Sequence, residues 1–225
     1  MLDVLAIIQA RMSSRRFPGK VLKNLAGKPM LQWTLERLES SKFLGKAVVA
    51  TSLDSGDDAV EEFCLSQNIK CHRGSLENVA QRFAEVATLE KAESFVRING
   101  DSPLIDPKII DQAVSIFRMT AIDFVTNTMP RTFPKGQSVE VLNSGHFIEL
   151  CKHMTEPEDQ EHVTKVFYKY PEMHRIVSFT SGVDAGHVQM SVDTPEDFEV
   201  IEKLIQMSNG HPEGWKKLLH LKATL

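Results

Sequence analysis

The first strongly apolar run, Leu5-Ala6-Ile7-Ile8, is four residues long and lacks glycine and proline, so it reads as a buried strand. A polar loop follows. Pro29 then leads Leu31, Leu35 and Leu38 at helical spacing, which predicts a helix from that point. Ala47-Val48-Val49-Ala50 is a second buried strand. The alternation continues with a helix over Asp57–Gln67 that turns Val60, Phe63 and Cys64 inward, and a short strand at Lys70–His72. A helix over Leu76–Glu90 places Val79, Phe83 and Val86 on one face, and Ser94–Ile98 is the next strand. Pro107 opens a helix carrying Ile110, Ala113, Val114 and Phe117, and Asp123–Thr126 is a strand. Strands alternating with helices of this length predict a parallel, right-handed α/β sheet.

After residue 127 the rhythm changes. Thr132–Leu142 is punctuated by glycine and proline and ends in a β-rich stretch, Ser138–Leu142. Thr155-Glu156-Pro157-Glu158 has the form of a capping box and predicts one helix running through Val163 and Phe167. Strands are expected at Ile176–Phe179 and Val188–Val192. A last helix is expected from Thr194-Pro195-Glu196-Asp197, with Phe198, Ile201 and Ile205 inward. No repeat or linker interrupts the chain. One domain over 1–225 is expected, with a β-rich extension at about 128–190.

Composition narrows the class. At 42% hydrophobic and 25% charged residues, the 225-residue chain has the balance of a globular protein and not of a disordered one. A net charge of −4 argues against a dedicated nucleic-acid binder. Three cysteines without a C-x-x-C pair suggest reduced thiols and a cytoplasmic setting. No basic leader precedes Val4–Ile8, and no apolar run approaches the ~20 residues of a membrane span.

The average charge hides an asymmetry. From Val4 to Leu35 there is no acidic residue, yet the stretch holds Arg11, Arg15, Arg16, Lys20, Lys23 and Lys28. The first four lie with Ser13, Ser14, Pro18 and Gly19 in the loop directly after the first strand. Cationic loops at strand carboxyl ends are where α/β proteins bind anions. The loop is neither a Walker P-loop, because Val21 follows Lys20, nor a G-x-G-x-x-G turn. Its small residues and cations suit a polyphosphate. Two further candidates are acidic. Asp101, in Asn99-Gly100-Asp101-Ser102-Pro103, and Asp193, in Val192-Asp193-Thr194-Pro195, each follow a predicted strand. Each could be a turn or capping residue. Together, from neighbouring strand ends, they could hold one Mg²⁺, which commonly takes one or two carboxylates plus phosphate oxygens and water.

Taken in order, these segments resemble the cytidylyltransferase family. The resemblance runs through Ile7–Leu22, Arg73-Gly74-Ser75, Val96–Pro107, Gly136–Val141, Glu161-His162-Val163-Thr164 and Val192–Asp197. The branch it is most similar to is that of the spore coat polysaccharide proteins, related to the acylneuraminate and octulosonate enzymes. The resemblance implies a nucleotide-diphospho-sugar transferase fold, a three-layer α/β/α sandwich on a mostly parallel mixed sheet, and transfer of CMP from CTP to a sugar, with a sugar acid expected, and release of pyrophosphate. It implies Arg16, Lys20 and Asp101 as catalytic groups and Asp101 and Asp193 as Mg²⁺ ligands. Ala10, Arg11, Ser13, Ser14 and Gly19 would hold the nucleotide phosphates, with Arg73, Ser75 and Arg82 near the base or ribose. CTP and a small sugar are the implied partners, and a homodimer is compatible with the β-rich segment. Departures from the family pattern include Ser13, Arg15 and Phe17, Gln9 where the octulosonate enzymes carry proline, and Ser138 where many relatives carry aspartate. A nucleotide-sugar-dependent glycosyltransferase and a non-catalytic nucleotide-binding module are the rival readings.

Overall fold

A computed structural model describes residues 4–225. The chain runs through β1 (Val4–Gln9), the two-residue strands β2 (Asn24–Leu25) and β3 (Lys28–Pro29), α1 (Met30–Glu39), β4 (Leu44–Ser52), α2 (Asp58–Ser66), β5 (Lys70–Gly74), α3 (Val79–Leu89) and β6 (Ser94–Asn99). It continues with α4 (Pro107–Met119), β7 (Phe124–Thr126), β8 (Glu140–Asn143), α5 (Ser144–Cys151), α6 (Pro157–Glu161), α7 (Lys165–Lys169), β9 (Ile176–Ser178), α8 (Pro195–Met207) and α9 (Trp215–Lys222).

Seven strands form one sheet in the order β5-β4-β1-β6-β8-β7-β9, while β2 and β3 pair separately. Within the seven-stranded sheet every pairing is parallel except those of β8, which runs antiparallel to both β6 and β7. The predicted mostly parallel mixed sheet is therefore present. Alternation along β1 separates the two faces. Ala6 and Ile8 join one core beneath α1, α2, α4, α8 and α9, while Leu5 and Ile7 join the other beneath α3, α5 and α7. Trp33 and Phe83 are buried in these layers.

The order of the strands places the site. From β1 the chain moves outward to β4 and β5, then returns to the other side of β1 as β6. Connections leaving β1 and β6 thus diverge, and open α/β sheets bind ligands in the crevice at such a switch point, beyond the strand carboxyl ends. Gln9 and Asn99, paired in register, are those ends.

Three expectations are corrected. The single helix expected from the Thr155 capping box is two short helices, α6 and α7, broken at His162–Thr164. Pro157 takes the first helical position, so Glu156 and not Thr155 is the N-cap. At the break, the Thr164 hydroxyl donates to the buried Glu140 carboxylate (3.0 Å). The strand expected at Val188–Val192 is a single bridge, Lys135 to Gln189. Its amides are used to tie loops: Met190 N–H donates to Lys135 O (2.8 Å) and Val192 N–H to Asp101 O (2.9 Å). Asp57, expected as the first residue of a helix, instead closes a 3-10 turn just before α2 and turns its carboxylate toward the cationic loop.

Candidate active site

The cationic loop is a closed bend. Met12 O accepts from Ser14 N–H and Gly19 N–H, both at 2.9 Å, so residues 13–18 project from a pinched neck. Gly19 has φ +72°, a left-handed conformation that disfavours any side chain, and the chain then enters a 3-10 turn at Lys20–Leu22. Asp57 fixes the other side of the neck. Its carboxylate accepts Met12 N–H (2.6 Å), Ser52 N–H (3.1 Å) and the Ser52 hydroxyl. Burial opposes ionisation of Asp57, but these donors outweigh it and hold the carboxyl below the usual aspartate range. Nothing in the local sequence signals this role, because Asp57 reads equally well as a helix starter.

Lys20 is the hub. Its ammonium is buried and donates to Asp101 Oδ2 (2.8 Å) and Val192 O (2.6 Å), with Asp193 Oδ1 at 3.6 Å. Arg16 reaches the same Asp193 oxygen at 3.0 Å. Two carboxylates from distant stretches therefore converge on one cation. The Val192 N–H to Asp101 O bond sews the two acidic loops together.

Around this hub lie two adjoining cavities that share Asn99 and Asp101. One, of about 390 Å³, brings together Arg11, Ser14, Arg15, Arg16, Lys20 and Asp101 of the expected residues. Gln9, Glu161 and His162 complete its wall, and Arg11 pairs with Glu161 at 3.4 Å. The other, of about 210 Å³, is lined by Asp193, Arg131, Lys135, Ser138 and Ser191. Arg131 Nη1 donates to the Ser138 hydroxyl at 2.9 Å. A larger hollow, about 660 Å³ between α3 and α5, is mainly apolar and shares no lining residue with either charged cavity.

The remaining expected residues lie apart from the cavity walls. Ala10 and Ser13 belong to the loop backbone, with Ser13 exposed. Arg73 is committed to α2 and the strand end before it: its guanidinium meets Ser52 O, Asp54 O, Asp58 and Glu61, all within 2.9 Å. Ser75 O accepts from Arg82 Nη1 at 2.7 Å. Arg82 is fully buried with Nε and Nη2 unpartnered, and burial, reinforced by nearby Arg11, pushes its pKa down to about 10. Among the described residues no cluster of three or more acidic, histidine or cysteine side chains forms a ready-made metal cage.

A family model for cytidylyltransferases matches residues 5–216. The chain belongs to the cytidylyltransferase family. It is 34% identical over 221 residues to the spore coat polysaccharide biosynthesis protein SpsF of Bacillus subtilis, covering 95% of this chain and 90% of that one. The 3-deoxy-manno-octulosonate cytidylyltransferase of Geobacter sulfurreducens is 40% identical over 114 residues, 51% of this chain and 45% of the relative. Among solved structures, a cytidylyltransferase from Leptospira borgpetersenii superimposes with a TM-score of 0.93 at 30% identity, over 100% of this chain and 95% of that one. The architecture is that of the nucleotide-diphospho-sugar transferases, so in this cytidylyltransferase the cationic loop and acidic pair occupy the carboxyl edge of a nucleotidyltransferase sheet.

Proposed function

We propose that this cytidylyltransferase transfers CMP from CTP to a hydroxyl of a sugar acid, releasing pyrophosphate, in the assembly of a surface polysaccharide. One observation carries the reading: Asp101 and Asp193 both lie within 4 Å of Lys20 Nζ where the two charged cavities adjoin. The arginine-lined cavity suits a triphosphate, and the one holding Arg131 and Lys135 suits a carboxylated acceptor.

Each residue's part follows from its place. Arg11, Ser14 and Arg16 face the triphosphate, and Lys20 neutralises charge that builds on the departing pyrophosphate. Arg131 and Lys135 orient the acceptor so that its hydroxyl meets the α-phosphorus near Asp101. Positioning and charge stabilisation dominate phosphoryl-type transfer, so a pocket of fixed cations supplies much of what the reaction needs. The acidic pair fits a divalent ion: both members offer hard oxygen donors, and the nucleotide would supply further oxygens. Asp101 and Asp193 would hold a Mg²⁺ ion, which would supply Lewis-acid stabilisation of phosphate charge and could lower the pKa of the acceptor hydroxyl. A cytoplasmic setting accords with CTP as substrate and with the three unbridged cysteines.

The test is pyrophosphate release by the purified protein with Mg²⁺, each of the four nucleoside triphosphates and a panel of sugar acids. Pyrophosphate is expected with CTP and one class of sugar acid. Release of a nucleoside diphosphate from a nucleotide sugar, or no turnover with any pair, would overturn the reading.

A further inference from the structure

Behind the larger charged cavity, a polar layer crosses four strands. Arg97 on β6 stands opposite Glu140 on β8, and Glu140 stands opposite Thr126 on β7. Glu140 is 4% exposed, a depth at which a carboxylate must be paired. Arg97 Nη1 donates to its Oε2 at 2.7 Å. Its Oε1 accepts from the Thr164 hydroxyl (3.0 Å) and the Tyr168 hydroxyl (2.5 Å). Burial and the adjacent Glu140 carboxylate push Tyr168 well above the ordinary tyrosine range, so it keeps its proton for that bond. The Thr126 and Thr128 hydroxyls, each 2.7 Å from the Tyr168 oxygen, are then left to donate to it.

The layer ends on a cavity wall. The second arm of the Arg97 fork, Nη2, donates to Gln9 Oε1 at 3.3 Å. Gln9 lines the cavity that holds Arg11, Arg16 and Lys20. With its oxygen taken by Arg97, the carboxamide N–H donors are what Gln9 has left to offer a ligand at the cavity wall. A glutamine side chain on an open wall would normally sample several orientations. Here a guanidinium fixed by a buried carboxylate selects one.

We propose that Gln9 is a nucleotide-binding residue that donates to an acceptor oxygen of bound CTP, and that Glu140 is the positioning residue that aims it through Arg97. The inference rests on the CTP reading above. It gives the Gly136–Val141 segment a purpose its sequence alone does not state: one arm of Glu140 serves Gln9, and the other holds the turn that carries Glu161 and His162.

The experiment is titration calorimetry of CTP with Mg²⁺, on wild type first and then on Gln9→Ala, Glu140→Gln and the double variant, with thermal melts alongside. Absence of CTP binding by the wild type would remove the functional reading itself. If the wild type binds, Gln9→Ala is expected to weaken CTP by roughly tenfold, the value of one well-made hydrogen bond. Glu140→Gln is expected to weaken it to a similar degree. The double variant should be no weaker than the poorer single one, because both changes remove the same contact. Arg97→Lys tests the link with less disturbance to the fold, since it keeps a charge opposite Glu140 but has no second nitrogen for Gln9. It should match Gln9→Ala. Unchanged CTP affinity in Gln9→Ala or Arg97→Lys, or additive losses in the double variant, would overturn the proposal.

Discussion

Lys20 and Asp101 touch each other, yet the two side chains have different surroundings and removing them should have different results. Asp101 is about a quarter exposed, and Lys20 keeps Asp193 and Val192 O as partners in its absence. Asp101→Ala should therefore melt within a few degrees of wild type while CMP transfer falls by about 100-fold or more, as loss of several kcal/mol of charge stabilisation implies. Pyrophosphate assays beside a thermal melt measure both, and retention of most activity would contradict the metal assignment. Lys20 is the reverse case. Read from the sequence it is an end-of-loop cation that the fold could spare, but the structure buries it among three oxygens. Lys20→Met should weaken CTP binding and also cost about 3 kcal/mol of stability, because it leaves carboxylates facing each other without their shared cation. Denaturant unfolding gives that number directly. A variant as stable as wild type would show that Asp101 and Asp193 relax apart at little cost.

At the scale of elements, the strands and most helices were legible because their apolar runs and periodicities are strong: β1, β4, α4 and α8 begin and end within a few residues of where their patterns place them. The misreadings share a cause. At Val188–Val192 and at His162–Thr164 the backbone and side chains serve partners distant in sequence, Asp101 and Glu140, and no local pattern encodes such a partner. The site was legible in the same measure. The cationic loop and both aspartates stand out by charge and position, whereas Asp57, Gln9 and Glu140 are single polar residues that only the fold links to the loop neck and the cavity wall. Gly136 shows how tightly these loop contacts are made. It has φ +91°, and a Cβ there would lie 2.6 Å from the Met190 carbonyl. Gly136→Ala should lower the melting temperature and disturb the Arg131 and Lys135 wall, raising the KM for the acceptor more than that for CTP. Equal changes in the two constants would place the damage elsewhere.

For the molecule as a whole, acid should act through particular carboxylates. The Arg175 guanidinium holds Asp123 below the usual range, and the Met12 and Ser52 donors do the same for Asp57 against its burial. A carboxyl whose folded pKa is depressed stabilises the fold fully above its unfolded value of about 3.9, and that contribution is lost as pH falls through the lower folded value. Melting temperature should thus hold from neutrality to about pH 4 and then drop. A double Asp57→Asn, Asp123→Asn variant should start lower and fall less steeply below that point. Parallel curves would mean that other groups govern the acid limb.

The bond from Val192 to the carbonyl of Asp101 also bears on biosynthesis. It joins the loop after β6 to a segment translated much later, and α8 and α9 pack where that segment enters the core. A nascent chain can therefore make every strand of its sheet while the candidate site is still incomplete. A polypeptide stalled before Asp193 would expose a bare cationic bend, with half its acidic counterpart not yet synthesised.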